Sequence, residues 1–160
     1  MNTAAENDIR ECLRSDRERM LAMARALARE EGSESEHERA LRLRQACLAR
    51  REAESHALDP VLRYLRPAGE EALEQRCSWH AQCLRLIDAW LRFETVALKR
   101  RALAQMIVNM LNQQARDEHR SVMPLLTHRV SDSLREDLAR RYLTARRTER
   151  VVLTVQTVST

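Results

Sequence analysis

Apolar residues recur at helical spacing from the start of the chain. A first helix is predicted from about Asn7 to Glu31, because apolar side chains near three- and four-residue intervals would share one face there: Ile9, Leu13, Met20, Met23 and Leu27. The following EEGSESE supplies a glycine stop and a serine cap. A second helix is predicted from about Glu34 to Tyr64, with Pro60 kinking it or closing it early.

Two more long helices and one shorter helix follow. RPAGEE is the clearest break in the chain, and it precedes a helix predicted from about Glu70 to Phe93. After a turn at FET, a fourth helix is predicted from about Val96 to Met123, ending at Pro124. SDSLREDLARRYLTARR then predicts a shorter fifth helix, capped at Ser131.

Composition agrees with an all-α protein. The 160 residues include 2 glycines and 3 prolines, too few for the many tight turns of a sheet, while Ala, Leu, Arg and Glu dominate. Four long helices with short connections predict an antiparallel up-down-up-down four-helix bundle with a short additional C-terminal helix, one domain over 1–150. The segment VVLTVQTVST, 151–160, is expected to be a tail that is disordered or docks elsewhere.

The distribution of charged and apolar residues disfavours nucleic acids and membranes as partners. The net charge of +4 comes from 28 basic and 24 acidic residues that are interleaved, which is typical of solvated helix faces. Nucleic-acid binding is disfavoured because no basic stripe carries interleaved aromatics. MNTAAENDIRECLRSD lacks the apolar region of a signal peptide, and no apolar run approaches the ~20 residues that span a bilayer. We therefore expect no membrane contact and a cytoplasmic location.

One short sequence pattern occurs twice along the chain. AESHALDPVLRYL and DEHRSVMPLLTHRV each have a Glu six residues before a Pro, and a His soon after the Glu. The glutamates are Glu54 and Glu118, near the ends of the second and fourth helices. Two related helical hairpins would place the copies in this way.

The apolar stripes are interrupted by polar residues that could lie at one height of a bundle. The interruptions are Asp16 or Arg17 in the first helix, Arg50 and Glu54 in the second, His80 in the third, and Gln114 and Glu118 in the fourth. Buried polar groups are costly unless they satisfy one another, so coincident interruptions predict a buried polar layer.

Inward carboxylates and imidazoles at one level of a four-helix bundle commonly form a metal site. Over roughly Ile9 to Arg147 the chain resembles the hemerythrin-like (HHE cation-binding) domain. In that family the second and fourth helices each carry a His-x-x-x-Glu pair, shortly before a helix ending that often contains Pro. The segment ARDEHRSVMPLLTHRVSDSLREDLARRYLTARR resembles the family's last-helix pattern, including Pro-Leu-Leu and the trailing helix.

The resemblance implies metal-ligand positions at Glu54, His80 and Glu118. At three further positions where the family carries His, this chain has other residues, namely Arg17, Arg50 and Gln114. Arginine cannot ligate a metal, because its guanidinium stays charged and has no free lone pair. We therefore expect Arg17 and Arg50 to pair with the two glutamates and to fill the space of a metal centre.

A competing interpretation keeps Glu54, His80 and Glu118 as ligands of one Fe, Mn or Zn, with water completing the shell. The nearby arginines would repel that cation. His56 and His119 do not add ligands, since they lie about 200° and 100° around the helix from their glutamates. Both are expected to cap, to pair with surface acids or to lie at the rim.

The segment CSWHAQC invites a metal or redox interpretation. Cys77 and Cys83 lie about 120° apart around a helix and cannot chelate one ion well, so buried, reduced thiols are expected. A redox role for either thiol requires exposure and a lowered pKa.

Together these features predict a non-enzymatic accessory, regulatory or interaction module. It would need no cofactor, would bind an unidentified protein partner, and is compatible with a homodimer. The alternative is a non-haem iron protein that binds or senses O2, NO or iron.

Overall fold

A computed structural model describes residues 8–29, 35–93 and 96–158. Over these residues the chain is all-helical and contains no strand, which confirms the predicted all-α class. The described helices are α1 (Ile9–Arg29), α2 (Glu36–Ala57), α3 (Asp59–Tyr64), α4 (Ala68–Arg92), α5 (Ala97–His128) and α6 (Asp132–Val158).

Serine caps start two of the helices, as the sequence predicts. Ser35 Oγ accepts a hydrogen bond from the backbone N–H of Glu38 at 3.2 Å, and the Glu38 carboxylate accepts one from the N–H of Ser35 at 3.3 Å. This reciprocal pair is a capping box. Ser131 Oγ likewise accepts from the N–H of Leu134 at 3.3 Å and caps α6.

The two repeated prolines have different effects. Pro60 lies in the first turn of α3, so α2 closes early at Ala57 and the chain re-enters a short helix. Pro124 lies inside α5, which runs on to His128, so the predicted helix end at Met123 was wrong. The fully buried Val122 and Leu126 flank this proline, and their packing outweighs the one hydrogen bond that proline removes.

The last helix is longer than predicted. α6 has 27 residues, so the expectation of a short additional helix was wrong, and 151–158 of the predicted tail are helical. Residues 159–160 lie outside the described residues. Leu138, Ala139 and Tyr142 are fully buried where α6 packs against α1 and α2. This part of α6 therefore belongs to the core.

Four of the helices form a closed cycle of contacts around the interior. α1 contacts α2, α2 contacts α4, α4 contacts α5, and α5 contacts α1, while α3 packs on α2 and α4. Two apolar clusters fill the interior, one around Leu13, Leu62 and Leu126 and the other around Met20, Ile87 and Leu111. Along each of these four helices, charged or polar residues separate the two clusters.

Gly69 fixes the corner between α3 and α4. A Cβ at this position would lie 2.0 Å from the backbone oxygen of Leu62, so only glycine permits the close approach. Among the described helices, none combines the length and apolar character needed to cross a membrane.

Candidate functional site

A layer of buried charged side chains lies between the two apolar clusters. Its centre consists of Arg50 and Glu54 from α2, Arg76 from α4 and Glu118 from α5, whose side chains are at most 5% exposed. An isolated charge in such surroundings costs several kcal/mol, so the contacts between these groups decide whether the layer is tolerated.

Arg50 joins the two glutamates. Its Nε donates to Glu54 Oε1 at 2.6 Å, and its Nη2 donates to Glu118 Oε2 at 2.5 Å. Glu54 lies four residues after Arg50 on α2, the spacing that stacks side chains on one helix face. Glu118 reaches the same guanidinium from α5, so one cation links two helices.

Arg76 is a second buried cation, which the sequence patterns did not reveal. It forms ion pairs with Glu54 and, at 3.1 Å from Nη1, with Glu118 Oε2. Its position one turn before His80 is the signal that could have found it. The next residue, Cys77, was expected to be buried, but it is exposed, so that expectation was wrong.

Arg17 and Asp16, the two candidates in the first helix, both take part but in different contacts. Arg17 Nη1 donates to Glu118 Oε1 at 2.9 Å from the edge of the layer, where its side chain is 18% exposed. The buried Asp16 accepts from the Tyr142 hydroxyl at 2.7 Å and pairs with Arg146 at 2.6 Å. Asp16 therefore ties α6 to the side of the layer.

His80 contributes a neutral imidazole to the layer. Its Nε2 lies 2.7 Å from Glu54 Oε2. Burial lowers the pKa of His80, Arg50 and Arg76 lower it further, and together they outweigh the opposing effect of Glu54. The neutral ring therefore donates its Nε2 proton to the carboxylate, and Nδ1 is left buried without a hydrogen-bond partner among the described residues.

Glu54 is ionised in this environment. Burial alone would raise its pKa, but Arg76, Arg50 and His80 together hold that pKa well below its usual value of 4.5. Three arginines, including Arg17, therefore face two glutamates, whereas the sequence predicted two cations and two anions. The layer therefore contains one more arginine than the sequence predicted.

Gln114 lies beside the layer, at a cavity that Arg76 and Glu118 also line. Both amide atoms of this buried side chain lack a hydrogen-bond partner in the described structure. This cavity of about 20 Å³ is bounded by Arg76, Trp79 and Glu118 among others. That volume suits one water molecule, which would satisfy the amide.

The predicted ligand positions meet in the layer, but their oxygens are already engaged. Glu54 contacts Arg50, Arg76 and His80 through its two oxygens, and Glu118 contacts Arg17, Arg50 and Arg76. A metal ion would have to displace guanidinium groups that carry like charge. Within the described ranges, no group of three or more His, Cys, Asp or Glu is arranged to hold a metal. The residues present therefore do not fit a di-iron centre.

The remaining candidates lie outside the layer. His56 is exposed and pairs with the surface acid Glu52 at 2.8 Å, as expected, and His119 is also exposed. Cys77 accepts a hydrogen bond from Arg51 at 3.5 Å, whereas Cys83 is buried. These two thiols do not meet, and the sulfur of Cys83 instead lies 3.7 Å from that of Cys47.

No protein-family model matches this chain, and neither the curated proteins nor the solved structures compared with it give a match. The resemblance to hemerythrin-like domains therefore stays a prediction that rests on the residues of this chain.

Proposed function

We propose that this chain is a hemerythrin-like, antiparallel four-helix bundle that works without a metal, as a non-enzymatic accessory, regulatory or interaction module. The observation that carries the proposal is the position of Arg50, which contacts Glu54 at 2.6 Å and Glu118 at 2.5 Å. The guanidinium of Arg50 thus lies between the two carboxylates, where the resemblance implies a metal. The closed cycle of helix contacts supports the bundle arrangement.

The chemistry of the layer supports a structural role for it. Each carboxylate is held by arginines, and the neutral His80 is buried against Glu54. A general acid or base needs to reach a substrate proton, and these groups are enclosed by four helices. Oxygen, nitric oxide or iron sensing would need a bound metal. The four free cysteines fit a reducing compartment such as the cytoplasm.

An apolar surface near the junction of α4 and α5 supports a role in protein interaction. Leu98 is 80% exposed, and Phe93 and Val96 are also exposed. Large aliphatic and aromatic side chains at one surface are typical of contact sites. We propose that this surface contacts a protein partner or a second copy of the chain.

Metal analysis tests the proposal directly. Protein made in iron-rich medium should contain far less than one iron per chain, and a chelator should leave its thermal unfolding unchanged. Near-stoichiometric iron in correctly folded protein would establish the alternative, a non-haem iron protein. The convergence of Glu54 and His80 at 2.7 Å, with Glu118 in the same layer, is what favours that alternative.

The apolar surface is tested through the oligomeric state. Light scattering over a range of concentrations should show a dimer that Leu98→Glu converts to monomer. Gln105→Glu is the matched control, because Gln105 is exposed on the same helix and its replacement adds the same charge. Wild-type protein that stays monomeric at every concentration would exclude the homodimer.

A further inference from the structure

Cys47 and Cys83 form a buried dithiol pair across two helices. Their sulfurs lie 3.7 Å apart, with Cys47 on α2 and Cys83 on α4, and the residues are 1% and 0% exposed. Both belong to the apolar cluster that contains Met20 and Ile87. The sequence singled out Cys77 and Cys83 as possible redox thiols, but in the fold Cys83 lies beside Cys47.

We propose that this pair is an oxidation site at which hydrogen peroxide forms a Cys47–Cys83 disulfide. One sulfur, as thiolate, attacks a peroxide oxygen, the O–O bond breaks, and a sulfenic acid and one water form. The second sulfur then attacks the sulfenic sulfur and displaces the hydroxyl group as a second water. In total, two thiols and one hydrogen peroxide give one disulfide and two waters, and the two electrons lost by the sulfurs reduce the peroxide.

The geometry needs only a small adjustment. The sulfurs are now 3.7 Å apart. A disulfide has an S–S length of about 2.05 Å, so the two sulfurs must move about 1.65 Å closer together, from 3.7 Å to 2.05 Å. Rotation of the two Cα–Cβ bonds and a slight closing of α2 on α4 can supply this movement. The helices are already in contact, so no element has to be displaced.

Burial selects the class of oxidant. Thiol–disulfide exchange requires in-line approach of a second disulfide to the sulfur, which a fully buried pair denies to bulky reagents. Hydrogen peroxide is small and uncharged and can enter through local opening of the bundle. The hydrogen bond with Cys83, together with burial, raises the pKa of Cys47, while the nearby Arg50 opposes this rise. The reaction is therefore slow and responds to sustained peroxide rather than consuming it as a peroxidase would.

The disulfide would act next to the charged layer. Cys47 lies one turn before Arg50 on α2, and Cys83 lies one turn after His80 on α4. The same two helices are joined in the layer by the contact of Glu54 with His80. Oxidation therefore fixes α2 to α4 beside this contact and holds the layer in its present arrangement. This inference rests on the fold and holds whether or not the layer is metal-free.

Cys77→Ser protein provides the cleanest test, because it removes the exposed thiol and retains Cys12 as a buried reference. Peroxide treatment, followed by denaturation and alkylation, should give the loss of two labels and a cross-linked peptide containing Cys47 and Cys83. Cys12 should keep its label. Thermal unfolding should shift upward by roughly 5–10 °C, and dithiothreitol should reverse the shift. A bulky aromatic disulfide reagent should leave the pair reduced in native protein.

Cys47→Ala in the same background should abolish the cross-link and the thermal shift. If that variant fails to fold, the peptide map of the Cys77→Ser protein still decides the question. Three outcomes would overturn the proposal: oxidation of Cys47 or Cys83 to sulfinic acid without a cross-link, equal oxidation of Cys12, or a disulfide between two chains.

Discussion

Arg50 Nη2 lies 2.5 Å from Glu118 Oε2, and both side chains are shielded from solvent. The contact joins α2 to α5 through the interior of the protein. Burial disfavours the charged form of the Arg50 guanidinium and by itself would lower its pKa. Glu118 and Glu54 together raise that pKa, so the group stays charged. The stability of the protein should therefore depend strongly on this one cation.

Replacing Arg50 with methionine should lower the free energy of unfolding by about 3–5 kcal/mol, because it leaves two buried carboxylates with fewer cations. Urea unfolding followed by circular dichroism measures this change. Arg44→Met on the same helix is the control, since Arg44 pairs with Asp88 at 2.8 Å on the surface. That control should cost less than about 1 kcal/mol. Equal effects of the two substitutions would contradict a special role for the buried layer.

His80 and Glu54 predict how stability depends on pH. The folded state holds His80 neutral with a pKa below its ordinary value of 6.5, so below that pH the unfolded chain binds a proton that the folded chain does not. The free energy of unfolding should therefore have its full value above pH 6.5 and should decrease as the pH falls through that value. The pKa of Glu54 lies well below 4.5, so its contribution is present above pH 4.5 and is lost as the pH falls further.

Urea midpoints between about pH 4 and pH 8 measure the first of these effects. His80→Gln should flatten the slope just below pH 6.5, because it removes a group whose pKa is lower in the folded than in the unfolded chain. His56→Gln should keep that slope, since His56 is exposed and pairs with Glu52 at the surface. An unchanged slope in His80→Gln would assign the pH dependence to other groups.

The sequence predicts the helices well and their ends less well. Serine caps and the apolar periodicity place the start of α6 correctly and that of α2 within two residues, because these signals are local. The end of α5 depends on burial against other helices, which overrides the effect of Pro124. α6 is likewise longer than the β-branched composition of its last residues suggested. Local patterns do not contain that tertiary contribution.

The polar interruptions in the apolar stripes indicated most of the site. Arg50, Glu54, His80 and Glu118 meet because equal spacing along packed helices brings them to one height. Arg76 was missed because a charged residue beside an apparently apolar cysteine looks like a surface residue until the rotation of α4 is known. Tyr142 could not be predicted at all, since its contact with Asp16 joins residues 126 positions apart.

Tyr142→Phe tests the attachment of α6 to the side of the layer. Removing the hydroxyl takes away the hydrogen bond to Asp16 at 2.7 Å and leaves a buried carboxylate less satisfied. We expect a loss of about 1–3 kcal/mol in unfolding free energy, measured by urea titration. Tyr64→Phe makes the same chemical change at a side chain that is 87% exposed, so it should have almost no effect. A similar loss in both variants would disprove the anchoring role.

Conversion of the layer into a metal site tests whether guanidinium groups occupy the place of a metal. The double substitution Arg50→His and Arg76→Met removes two cations, and the introduced imidazole joins His80, Glu54 and Glu118 as donors suited to Zn²⁺ or Co²⁺. Calorimetry should detect about one ion bound per chain, and Co²⁺ should give a visible absorption band, whereas wild-type protein should show neither. Adding Glu118→Gln to the double variant should weaken binding at least about tenfold, because it removes one anionic ligand. Failure of the folded double variant to bind either ion would show that the layer is not arranged as a latent metal site.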